Sequence, residues 1–163
     1  MNSIIHSPIG LFHLICAFIA LITGTIVVLN TKGTGFHKKT GYVYVLSMLL
    51  LNFSAFGIYH LSGKFGVFHG LALVSLFSIV GGMYPVLFRH KVKDWMADHL
   101  TTMSWSVVGL YAAFIAETGV RFFPMKKFWI VVFLGSTLVC IVGSILINRR
   151  KKLHLSKKSN SNN

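Results

Sequence analysis

Eight histidines and three acids, Asp94, Asp98 and Glu117, carry most of the chemical potential of this 163-residue chain. His13, His60 and His69, and then His37, His90 and His99, lie at or near the ends of long apolar runs. Imidazole titrates near physiological pH, ligates transition metals and haem iron, and relays protons. No H-E-x-x-H, no G-x-S-x-G and no phosphate-binding glycine loop occurs, so those hydrolytic and nucleotide-dependent chemistries lack their motifs.

The elements that must position these histidines are membrane helices. The stretch 9–29 holds no Lys, Arg, Asp or Glu, and about 20 apolar residues in a helix cross the roughly 30 Å hydrocarbon core of a bilayer. The chain is 54% hydrophobic and 12% charged, with a mean hydropathy of +0.70, too apolar for a soluble domain of this length. Five spans are expected, at 9–29, 42–61, 67–88, 99–122 and 128–147. The fold class is therefore all-α, an integral membrane bundle of about five transmembrane helices. Residues 1–148 form one transmembrane helical domain, and 149–163 form a basic tail expected to be disordered and cytoplasmic. The first run lacks a positive n-region and a small-residue cleavage site, so it is expected to stay as helix one.

The net charge of +13 does not point to nucleic acid. The cations sit in short clusters between apolar runs and in the tail, where they meet anionic lipid headgroups. Cys16 and Cys140 both fall inside apolar runs as structural thiols, and no C-x-x-C occurs.

Helical phase sorts the polar side chains into stripes. On helix four, His99 and Glu117 are five turns apart on one face, with Thr102, Ser106 and Ala113 near that line, a stripe about 27 Å long. An ionisable Glu facing lipid is costly, so the stripe is expected to face protein or a wet cavity. The plainer reading is close packing by small residues, with Glu117 pairing with Arg121 at i+4. On helix one, His13 shares a face with Ala17, Ala20 and Gly24, small residues over which a neighbouring helix or a flat cofactor can approach closely. Asn52 on helix two reads as polar glue between helices. Ser75 and Gly82 do not share the His69 face, so helix three shows no clean stripe. His90, Asp94 and Asp98 would share one side of a helix, as N/O metal ligands do. Acids opposing a helix dipole explain the same residues.

Topology then stacks the histidines in two layers. His13, His60 and His69 lie near one membrane face with Glu117, and His37, His90 and His99 near the other with Asp94 and Asp98. Two such layers suit two b-type haems, with His13 paired to His60 or His69 and His37 paired to His99. A transition metal such as zinc or copper suits the same imidazoles. The leading expectation is a small redox or cofactor-binding protein working with a membrane electron-transfer partner. The alternatives are a non-catalytic assembly partner or subunit and a proton-coupled transporter using Glu117 and His13, although no paired inverted repeat is visible.

Several of these residues also carry a resemblance. With His13 and Gly24 in helix one, Lys32-Gly33 is followed by His37-Lys38-Lys39-Thr40-Gly41-Tyr42-Val43-Tyr44. His69 opens helix three, and His99-Leu100-Thr101-Thr102-Met103-Ser104 opens helix four. Over about 13–147 the chain resembles a family of predicted bacterial membrane proteins catalogued as a domain of unknown function. The His-x-x-x-Gly-x-x-Tyr element is its most specific part. Members often carry Arg where this chain has Lys38 and Lys39, a charge-preserving departure. The resemblance implies a bacterial multi-pass membrane protein and supplies no activity.

Orientation follows from the cations. Alternating links put 12 of the 16 Lys and Arg on the side of the 149–163 tail and 4 on the other. The positive-inside rule then places the N-terminus outside the bacterial plasma membrane and the C-terminus in the cytoplasm. Impermeant thiol reagents added outside should label a cysteine placed at Ser62 and spare one at Ser159. The opposite pattern would exchange the two layers.

Overall fold

The first helix is set off by its own ends. Ser7 accepts a hydrogen bond from the Gly10 N–H at 3.0 Å and Pro8 occupies the first turn, the residue types that helix starts favour. At the other end Lys32 folds back and its Nζ donates to the carbonyls of Val27 (2.6 Å) and Val28 (2.8 Å). It thereby satisfies two orphan acceptors and opposes the negative end of the dipole. Gly33, at φ +81°, turns the chain, and Thr34 accepts from the His37 N–H to start the next helix.

The computed structural model describes residues 7–58, 66–122 and 128–160, with side chains at 120, 121 and 150–160 excepted. They form five helices: α1 (Pro8–Leu29), α2 (Gly35–Ala55), α3 (Val67–Leu87), α4 (Trp95–Phe122) and α5 (Phe128–Asn160). The described residues include no strand. The protein is all-helical, and α1, α3, α4 through Gly119 and α5 through Arg149 are long and apolar enough to cross a membrane. The fifth expected span, α2, is not among them. Lys38, Lys39 and the buried Ser47, Asn52 and Ser54 lower its apolar character. Its case for spanning rests on lying antiparallel beside α1, with Gly57 next to Ile9 and Ser54 next to His13.

The chain divides into two compact units, Met1–Ile79 and Val80–Asn163, with the boundary inside α3. The first packs α1 on α2. Its core is Cys16, Ala17, Ala20 and Leu21 from α1, Tyr44, Met48 and Leu51 from α2, and Ala72 and Ile79 from α3. The second packs α4 on α5, with Met103, Val107, Leu110, Ala112, Ala116, Val132 and Ile147 buried. Large apolar side chains such as Phe18, Phe53, Phe77, Phe133 and Leu138 are exposed. In water that would be a liability, and in a bilayer it is the normal outer surface.

Close approach in the second unit is bought by missing side chains. Gly119 meets Val131, Gly135 meets Ile115 and Gly143 meets Val108, an antiparallel register held along the whole interface. Gly82 on the end of α3 seats Met103 of α4 in the same way. Pro85 lies in the last turn of α3, where its ring opposes the carbonyl four residues back and the helix soon ends. The residues expected to be a disordered tail are different in kind: α5 continues as helix to Asn160. No Gly or Pro interrupts that stretch, and Lys157 and Lys158 in the last turn oppose the dipole.

Gly143→Ala should weaken the α4–α5 interface, because Val108 Cβ lies 3.1 Å from the position a new Cβ would take and valine is stiff. Equilibrium unfolding in detergent should show a loss of about 1–3 kcal/mol. Gly109→Ala, with open space at that position, should be neutral or gain up to about 1 kcal/mol.

Candidate functional site

His13 sits half-buried on α1, with Nδ1 2.9 Å from Ser54 Oγ on α2. The Ser54 hydroxyl donates its one hydrogen to the Leu51 carbonyl at 2.8 Å. Its oxygen must therefore accept from the imidazole, which places the proton on Nδ1. In neutral His13 the lone pair is then on Nε2. The expected stripe below it, Ala17, Ala20 and Gly24, is buried on a helix whose packing partner is α2.

His99 at the start of α4 repeats the arrangement by another route. Its Nδ1 is 2.7 Å from the Gly82 carbonyl of α3. A carbonyl only accepts, so Nδ1 carries the proton and Nε2 the lone pair. A metal- or haem-ligating histidine has this form: the second ring nitrogen donates to a fixed acceptor, which orients the ring and raises the basicity of the first.

His69 has the opposite tautomer. Its Nδ1 accepts the Gly66 N–H at 3.1 Å, so in the neutral ring the proton is on Nε2, which is buried. The side chain does at the start of α3 what Glu does in a capping box, reaching back to the N-cap amide. The ring also lies against Phe56, centroids 6.2 Å apart. Thus His13 bonds the last turn of α2 and His69 lies against Phe56 just past it, yet they present different nitrogens.

The remaining expected residues are more scattered. His37 is half-buried at the start of α2, with its Nδ1 away from solvent. On α4, Ser106 is buried and His99 and Glu117 are half-buried, while Trp105, Gly109 and Ile115 are exposed. The Glu117–Arg121 pairing falls on a side chain outside those described, and His60 lies outside the described residues. His90, Asp94 and Asp98 are exposed, and among the described residues no three His, Cys, Asp or Glu side chains gather as metal ligands. Cys16 and Cys140 are free thiols.

The partners of the polar groups escaped sequence reasoning. Asn52 does act as glue, its amide donating to the Met48 carbonyl (2.8 Å) and to Ser75 Oγ on α3 (3.0 Å). Ser75 bonds Asn52 of α2 and the Gly82 carbonyl bonds His99 of α4. Ser54, as a hydroxyl in an apolar helix, was a findable signal for the partner of His13. A main-chain carbonyl such as that of Gly82 leaves no trace in a sequence.

Residues 10–150 match the family model described as "Predicted membrane protein (DUF2306)". Neither a curated protein nor a solved structure matches the chain.

The His13–Ser54 bond can be measured directly. A double-mutant cycle with His13→Leu and Ser54→Ala, read by unfolding in detergent, should give a coupling of about 0.6 kcal/mol and at most ~1.7, the range for interhelical bonds in membranes. A coupling of zero would remove the bond that fixes the tautomer.

Proposed function

We propose, for a chain that belongs to the DUF2306 family of predicted membrane proteins, a role as a small membrane redox protein that binds b-type haem through His13 and His99. The observation that carries this reading is that both imidazoles hold their Nδ1 proton on an acceptor of a neighbouring helix, Ser54 Oγ and the Gly82 carbonyl. Each neutral ring then carries its lone pair on Nε2, the tautomer of a ligating histidine. Haem asks the protein for one or two imidazoles and an apolar surround. A closed zinc site asks for three or four ligands together, and no such group occurs among the described residues. That contrast favours haem over a lone transition metal.

Bound haem would supply a one-electron couple in the membrane. The chain's own residues would ligate, orient the imidazoles and exclude water. His69 in its capping form offers an N–H at Nε2 and would have to release the Gly66 amide before ligating. For the layer of His13 this leaves His60 as the simpler second ligand. For the layer of His99 the candidate within its own unit is His90. The reading places the protein in the bacterial plasma membrane, N-terminus out and C-terminus in, passing electrons to a membrane partner.

One observation favours a second reading, a non-catalytic assembly subunit. The bonds that set the two tautomers also tie helices together, and the small residues beside His13 are buried in packing. Visible spectra of the purified protein, oxidised and reduced, separate the two. The haem reading expects a Soret band, reduced by about half in His13→Ala and again by about half in His99→Ala, since each change removes a ligand from one of two sites. His154→Ala should leave the spectrum intact, and so should His69→Gln, in which an amide oxygen can still accept the capping N–H. Protein from haem- and metal-replete cells with neither a Soret band nor stoichiometric metal would overturn haem binding and leave the packing role.

A further inference from the structure

Asn52 and Ser75 join α2 to α3 within the first unit, and their hydrogen bonding is incomplete. Ser75 lies eight residues into α3, about 12 Å from its start, in a helix apolar enough to span a membrane. The orientation of the Asn52 amide is fixed by its partners. The Met48 carbonyl, 2.8 Å away, only accepts, so the atom facing it is Nδ2. The other Nδ2 hydrogen goes to Ser75 Oγ at 3.0 Å. Both amide hydrogens are therefore engaged, and Oδ1 receives no hydrogen bond from any described residue. Turning the amide over would set Oδ1 against the Met48 carbonyl, two acceptors face to face.

Ser75 is incomplete in the complementary sense. Its oxygen accepts from Asn52, so its own hydrogen is left to give. Ser78, one turn further on, gives its hydrogen to the Val74 carbonyl of its own helix. Ser75 makes no such bond, and no described residue accepts from it. An unmatched acceptor and an unmatched donor thus stand side by side. An amide nitrogen and oxygen are about 2.3 Å apart, so Asn52 Oδ1 and Ser75 Oγ are at most about 5.3 Å apart. One guest atom making bonds of about 2.8 Å reaches both. The walls set the size of that guest. Asn52 is 4% exposed, and Met48, Ala72 and Ile79, each one turn from the pair, are buried too. Ser75 is half-buried, so the open side is narrow.

We propose that Asn52 Oδ1 and Ser75 Oγ hold a single water molecule between α2 and α3. The water donates one hydrogen to Oδ1 and accepts the Ser75 hydroxyl hydrogen. An acyl chain can do neither, and two polar atoms left unmet in hydrocarbon cost more than immobilising one water. Water of this kind is part of a fold, and here it completes the α2–α3 tie that the two side chains begin. The site does not depend on haem binding.

The test is a rotating-frame NMR measurement on full-length protein, labelled with nitrogen-15 at asparagine, in phosphatidylcholine nanodiscs. The Asn52 side-chain amide is identified by its loss in Asn52→Leu. Its hydrogens should show a cross-peak to water of sign opposite to the diagonal, the mark of a close and lasting contact rather than of exchange. Ser75→Val, which replaces the hydroxyl by methyl groups, should weaken that cross-peak at least about fivefold, the weight of one hydrogen bond. Ser78→Ala should keep it, because that hydroxyl is engaged elsewhere. An Asn52 amide with no such cross-peak overturns the site, as does one that contacts acyl-chain hydrogens in place of water. An inserted Ser75→Val protein with undiminished water contact overturns it too. Should that variant fail to fold, the spectrum of the unmodified protein decides.

Discussion

Hydrocarbon offers no hydrogen bonds, so a polar group inside the membrane must find its partner in protein. That constraint organises this chain more than any apolar contact. Thr23 and Thr25 turn their hydroxyls onto carbonyls of their own helix, and Ser78 and Ser106 do the same. Asn52, His13 and His99 reach instead to another helix. The first solution leaves a helix free to face lipid. The second fixes which helix is its neighbour and in what register.

Packing supplies what those few bonds cannot. Lipid tails are as apolar as leucine, so helices associate through close contact rather than through escape from water. The interior faces are accordingly built from Ala17, Ala20 and Gly24 on α1 and from Gly119, Gly135 and Gly143 across the α4–α5 seam. The bulky residues are spent on the outside. A glycine seam carries little hydrophobic driving force but sets distance closely; at the separate α3–α4 contact Gly82 seats Met103 and its carbonyl accepts from His99 at 2.7 Å.

The histidines show why structural and functional readings are not exclusive. An Nδ1–H given to a neighbouring helix ties the two helices and, by the same act, commits the lone pair to Nε2. His13 and His99 are tied in this way. His69 is tied through the other sense of the same atom, accepting rather than donating, and becomes a helix cap. Three imidazoles that look equivalent by residue type thus have two different chemistries, decided by whether the nearest partner is an acceptor or a donor.

Apolar run length and the scarcity of charge, both properties of the chain itself, determined that the protein is helical and membrane-spanning. Residue spacing determined which polar side chains share a face: His99, Ser106 and Glu117 lie along one side of α4, as helical phase requires. Composition was a poorer guide to α2, whose Ser54 bonds His13 of α1 and whose Asn52 bonds Ser75 of α3. The Lys-, Ser- and Asn-rich composition after Arg149 suggested disorder, and α5 continues there as helix to Asn160. Only the tertiary structure decided the protonation of each imidazole. That depends on one partner atom within 3 Å, and such atoms include a carbonyl and an amide that every residue possesses and no sequence pattern distinguishes.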